Sequence, residues 1–203
     1  MGKYIVGAVI IILIIGGGYY LLAGKKGGTG ASGGGSVITV TATSTYATST
    51  FSIVYPSDYS VDESYTYTQV NPKKPISGVK FTIPGEVATG TNLSADTYIS
   101  VEWLPHAKKC TGDIYLAANV RPQTVAGANG VEYSVATSSD AAAGNIYDEA
   151  VYALSGSSPC RAVRYSIHST EIGNYTPGAV QPFDRSALLS AFDTIRQSLS
   201  LTH

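Results

Sequence analysis

Charge is the first thing this sequence has little of. Only 13% of its 203 residues are Asp, Glu, Lys or Arg, about half the share usual in soluble proteins. Basic clusters are missing too. Lys73-Lys74 and Lys108-Lys109 are isolated pairs, and a nucleic-acid binder needs a patch of Lys and Arg to neutralise phosphates and release counterions. Nucleic acid is therefore excluded as a partner. Histidine occurs three times, at 106, 168 and 203, with no H-x-H or H-E-x-x-H spacing, so no metal site is expected. Carboxylates form no catalytic pair: Asp58, Asp62 and Glu63 sit close in sequence but lack the D-x-D-x-D-G pattern of a calcium loop. No cofactor is expected.

What is present begins with an apolar run. Tyr4 to Ala23 carries no charge over 20 residues, the length at which a helix spans a hydrocarbon core about 30 Å thick. Residues 1–23 are read as a transmembrane anchor. A cleaved signal peptide has a shorter apolar core and a small-x-small cleavage site, which Leu21-Leu22-Ala23 does not supply. A pilin-type leader would place a Glu inside the run, and there is none. Lys3 precedes the run and Lys25-Lys26 follow it, so the positive-inside rule is close to a tie. The two cysteines and the hydroxyl-rich composition favour an extracytoplasmic domain on a single-pass anchor in the cell membrane.

Residues 24–48 are read as a tether. Seven of the twelve residues from Gly24 to Gly35 are Gly, and eight of the fourteen from Val37 to Thr50 are Ser or Thr. Such a stretch is a flexible coil, with an edge strand or an extended stalk as readings of its Thr-rich end. Gly28 to Gly33 matches G-x-G-x-x-G and Gly30 to Gly34 matches G-x-S-x-G. Neither lies between a strand and a helix, the context from which either motif takes its mechanism.

Residues 49–203 form the globular domain. All 14 acidic residues and ten of the 13 basic ones lie within it, a net charge of −4. Alternation of apolar and polar residues predicts strands at Phe51–Tyr55, Val79–Ile83, Tyr98–Leu104 and Val131–Val135, and a hairpin of Asn145–Leu154 with Arg161–His168 around Ser155 to Pro159. Ile99, Val101 and Trp103 fall on one face of their strand, and Tyr98, Ser100 and Glu102 on the other. Asp113–Asn119 reads as a short helix. From Asp184 to Leu201 the positions Leu188, Phe192, Ile195 and Leu199 follow a helical period, with Asp184 as N-cap and Phe183 placed to staple against Leu188. The expected class is α+β, a mostly antiparallel sheet covered by a C-terminal amphipathic helix and preceded by one transmembrane helix.

The strand Phe51 to Tyr55 closed by Pro56-Ser57-Asp58-Tyr59, and the terminal helix from Phe183-Asp184 through Phe192-Asp193-Thr194-Ile195, are similar in order to PsbP-like domains. The resemblance spans the domain loosely and implies a sheet-and-helix sandwich acting in binding or assembly. Cys110 to Pro122 has no counterpart in it, and no functional residue is carried over.

Cys110 and Cys160 are the only cysteines. A lone pair in an extracytoplasmic domain is expected to form a disulfide. The candidate binding face is Arg164, Ser166 and His168, alternating on one side of a strand, with Glu171 just beyond. A loop centred near Ser157 sets Ala150 opposite Arg164 and Asp148 opposite Ser166, so Asp148 joins the group. The same residues also read as the solvent side of a half-buried hairpin, where cross-strand charges contribute about 0.2–1 kcal/mol. Fifteen tyrosines suit either half-buried strands or a contact surface. No catalytic residue is assigned. The expectation is a non-catalytic module, a soluble monomer beyond its lipid anchor, that binds or assembles an envelope protein. The alternative is an envelope hydrolase built around His168.

Overall fold

The computed structural model describes residues 42–127 and 130–202. The expected anchor and most of the tether lie outside the described residues. Among the described residues no helix is long and apolar enough to cross a membrane.

Strands follow one another with little helix between them. In chain order they are β1 (Thr43–Ala47), β2 (Phe51–Pro56), β3 (Ser60–Asp62), β4 (Thr66–Tyr67), β5 (Ile76–Thr82), β6 (Tyr98–Leu104), β7 (Gln123–Ala126), β8 (Glu132–Ala142), β9 (Asn145–Leu154), β10 (Cys160–Thr170) and β11 (Ser200–Leu201). A one-turn helix, α1 (Gly85–Ala88), precedes β6, and α2 (Arg185–Gln197) precedes β11. Eight strands build one antiparallel sheet in the order β3-β5-β6-β10-β9-β8-β7, with β4 also on β5. A second sheet has the order β1-β2-β11. The strand β1 therefore falls within the stretch read as tether.

Period-two alternation divides the large sheet into two faces. On one, Val79, Phe81, Ile99, Val101, Val163, Tyr165 and Ile167 pack with Phe51 and Ile53 of β2 and with Leu188, Phe192 and Ile195 of α2. Asp184 caps that helix, its Oδ1 accepting from Ala187 N at 2.9 Å. The helix stops at Gln197, and Leu199 follows it in the turn to β11. On the opposite face Ala136, Val151, Ala153 and Ala162 lie under Tyr67, Tyr115 and Leu116. Tyr67 comes from the short strand β4. Tyr115 and Leu116 come from the end of a one-turn 3-10 helix, Gly112–Tyr115, that stands in place of the short helix expected at Asp113–Asn119.

The α+β class expected from sequence is corrected by these elements. About 45% of the described residues are strand and 16% helical, with one long helix, and the fold is sheet-rich. The physical reason lies in what covers the sheet. Helix α2 has 13 residues, roughly 20 Å of length, and shares one face with β2. The other face, expected to meet solvent, is closed by coil. Two glycines permit the close approach. A Cβ at Gly112 would stand 2.7 Å from Ala136 N and 2.8 Å from Val151 O, so glycine alone lets the loop lie flat on the sheet. At Gly78 a Cβ would meet Val101 O at 2.7 Å and the Tyr65 ring at 3.1 Å.

The loop is also tied covalently. Cys110 and Cys160 form a disulfide with Cα atoms 5.1 Å apart and a sequence separation of 50. It fastens the segment after β6 to the first residue of β10.

Candidate functional site

Strand β10 sets Arg164, Ser166 and His168 on the coil-covered face. Its neighbours β6 and β9 supply the residues opposite: Ser100 and Val151 across from Arg164, Tyr98 and Glu149 across from Ser166, and Tyr147 across from His168. The hairpin register differs by one residue from the expected one. That shift exchanges faces. Asp148 pairs with Ile167 and turns to the helix side, where it accepts from Arg185 Nη1 at 2.6 Å. Glu149 takes the place expected for Asp148.

Arg164 is fully buried. Its Nε donates to Glu102 Oε1 at 2.7 Å and its Nη2 to Glu102 Oε2 at 3.0 Å, a two-point fork. Nη1 donates to Glu149 Oε1 at 2.9 Å, and Nη2 also reaches the Tyr115 carbonyl at 2.6 Å. The Tyr67 ring lies 3.5 Å from the guanidinium carbon, and the Tyr67 hydroxyl donates to Glu149 at 2.9 Å. Ser100 and Tyr65 donate to Glu102 at 2.9 and 3.2 Å, and Tyr65 shares a 2.9 Å hydrogen bond with Tyr98. The half-buried solvent face expected here is instead a closed ionic network.

Electrostatics follow from that enclosure. Desolvation opposes the charge on Arg164, yet the adjacent Glu102 and Glu149 carboxylates win and raise its pKa. Burial raises the phenols of Tyr65 and Tyr67, and the nearby carboxylates Glu102 and Glu149 add to it. The Arg164 guanidinium and the phenols of Tyr65 and Tyr67 therefore keep their protons near neutrality.

Toward the end of the strand the cluster opens to solvent. His168 Nδ1 lies 2.8 Å from Asp96 Oδ1, and its Nε2 lies 3.0 Å from Asn145 Oδ1. The Tyr147 ring stacks on the imidazole at 4.4 Å between centroids. Burial would raise the Asp96 pKa, but hydrogen bonds from Ser94 and His168 outweigh it and hold the carboxyl below its ordinary value. Glu171 is exposed and stands apart; its backbone N donates to the Gly144 carbonyl at 2.8 Å.

The structure thus joins Arg164, Ser166 and His168 on one face and separates Asp148 from them. Sequence reasoning missed Glu102, Glu149, Tyr67 and Asp96 as partners. Glu102 had a legible signal, since a carboxylate alternating with Tyr98 and Ser100 on a predicted strand faces the same side as Arg164 once those strands pair. Asp96 gave none, because it comes from the loop before β6. Among the described residues no group of three or more His, Cys, Asp or Glu is placed to hold a metal ion.

No family model matches the chain, and no curated protein matches it. Among solved structures, a protein from Bacteroides thetaiotaomicron VPI-5482 is similar at a TM-score of 0.39 and 10% identity, over 74% of this chain and 44% of that one. The chain thus spans less than half of that protein's length.

Proposed function

We propose that this domain is a non-catalytic binding or assembly module of the cell envelope. In this reading the apolar run of residues 4–23 holds it to a membrane with the domain on the extracytoplasmic side. The sheet end bearing Tyr147, His168 and Asp96 is where it meets an envelope protein, and the PsbP-like resemblance points the same way.

One observation carries the reading: the polar groups that chemistry would need are occupied by one another. Nucleophilic catalysis needs a hydroxyl or thiol against a base held by a third group. His168 meets Asp96 and Asn145 instead, and both cysteines are in the disulfide. Solvent reaches Tyr147, 42% exposed, and Asp96.

The test uses the full chain in its own membranes, with a photo-crosslinking residue at Tyr147 and, as control, at Val54 on β2. A discrete protein adduct from position 147 and none from 54 is the expected result. Turnover of an ester, peptide, glycoside or phosphomonoester that disappears in His168→Ala would replace this reading with the hydrolase.

A further inference from the structure

A second buried arginine lies three residues before Arg164 and points to the other face. Arg161 is 7% exposed. On its strand it alternates with Val163 and Tyr165, and across the ladder it sits opposite Trp103 of β6. Its backbone is anchored: N donates to Ser157 Oγ at 2.9 Å. The guanidinium is not. Among the described residues it has no hydrogen-bond acceptor, no ion-pair carboxylate and no aromatic ring stacked on it.

A guanidinium withdrawn from water without a counter-charge is strongly unfavourable. This fold pairs its other deeply placed arginines. Arg164 has two carboxylates, and Arg196 has Asp193, the Tyr165 hydroxyl and the Tyr152 ring. Among the described residues the fully enclosed side-chain atoms without a partner are Tyr59 Oη and Asp113 Oδ1. No nitrogen of Arg161 is among them, so its head reaches open space.

That space is a cavity of about 970 Å³ between the β9–β10 turn and the chain leaving α2. Arg161 lines it with the neutral hydrogen-bonding groups of Ser155, Ser157, Ser158, Gln197 and Thr202, and apolar side chains such as Leu154, Leu199 and Leu201 complete the wall. We propose that this cavity is a binding site for a carboxylate, taken by Arg161 as a two-point fork with the surrounding hydroxyls and amides completing the shell. The planar guanidinium matches a carboxylate's two oxygens. Among the lining residues the one other charge is the Glu132 carboxylate at the rim. With the domain's net charge of −4 it disfavours a dianion such as phosphate and leaves the single charge of a carboxylate. The volume admits more than the carboxylate itself: a small organic acid fits, and so does a short peptide's free end. The site is independent of the contact surface proposed above, which lies on the other face of the sheet.

The full chain in detergent micelles, labelled with nitrogen-15, tests it. The Arg161 Nε–Hε resonance is assigned by its absence in Arg161→Gln. The probes are acetate, trialanine, trialanine amide and inorganic phosphate. Saturable shifts of that resonance with acetate and trialanine are expected in the wild type. The backbone amides of Ser155 and Ser157, read in the variants as well, should report about tenfold weaker binding in Arg161→Gln, as loss of a charge-assisted fork implies. Tighter trialanine than acetate identifies a chain end as the source, and the reverse a small acid. Trialanine amide should not bind. Equal binding of the free and amidated peptides, phosphate tighter than acetate, or no saturable shift with either carboxylate would each overturn the proposal. If Arg161→Gln does not fold, Arg161→Lys keeps the charge and loses the fork; undiminished carboxylate binding there also overturns it.

Discussion

Arg161 and Arg164 stand three residues apart on one strand and meet opposite fates. Both are withdrawn from solvent. Arg164 points to the coil-covered face and is enclosed by Glu102, Glu149, the Tyr115 carbonyl and the Tyr67 ring. Arg161 points to the helix side and lines an open cavity, its guanidinium without a partner among the described residues. A fold that satisfies one arginine so completely has the means to satisfy the other. The difference teaches that burial alone does not mark a functional residue. Burial with every donor paired describes architecture, whereas a buried guanidinium that lines a cavity is where the carboxylate proposed above would bind.

The sharpest way to break this comparison is to remove each arginine in turn. Arg164→Met leaves Glu102 buried without its cation and should cost about 3–5 kcal/mol, read as a lower denaturant midpoint. Adding Glu102→Met should recover a large part, because the loss comes from the orphaned charge rather than from the missing bridge. No recovery in the double variant would mean that the network itself supplies the stability. Replacing Cys110 and Cys160 together by Ser should cost about 4 kcal/mol in the chain-entropy model for a loop of this length. That loss should fall on the coil-covered face first, seen as faster hydrogen exchange around Tyr115.

Arg161→Leu should behave differently. An unpaired cation stabilises nothing, so the midpoint should move by less than about 1 kcal/mol or rise, as when buried charges give way to hydrophobic residues. A fall as large as that of Arg164→Met would place a counter-charge on Arg161 and remove the contrast between the two.

The sequence made several strands legible because period-two alternation is a direct record of a sheet with two faces. Tyr98–Leu104 and Asn145–Leu154 match β6 and β9 to the residue, and Asp184 is the N-cap it was expected to be. Two physical facts hid the rest. A hairpin's register depends on its turn, and one residue of slip moved Asp148 off the site and Glu149 onto it. A segment that is mostly coil has no period. A short helix was expected at Asp113–Asn119 and a 3-10 turn stands at Gly112–Tyr115, yet nothing in Cys110 to Pro122 announced that Tyr115 and Leu116 would seal the second face. With that face sealed, polar residues expected in water became an enclosed network, and α2 became one cover among several rather than the second layer of an α+β fold.

The smallest effect belongs to the open end of the same face, where Asp96 meets His168. Asp96 keeps its carboxyl below the ordinary value through hydrogen bonds from Ser94 and His168 that outweigh the effect of burial. A carboxyl depressed in the folded state contributes stability above its unfolded pKa of about 4, and that contribution is lost as the pH falls through the folded value. Asp96 is largely exposed, so solvent screening limits the contribution to about 0.2–1 kcal/mol. Asp96→Asn should therefore melt slightly below the wild type at pH 7, with the two curves converging under acid. High salt should narrow the gap at pH 7 as well, because exposed charges are screened within a few ångströms at molar ionic strength. The deficit of Arg164→Met should resist the same salt, since its charges are shut away from the ions. A gap for Asp96→Asn that persists in both acid and high salt would show that this end of the face is as closed as the middle, and the sheet would then offer no open polar edge at His168.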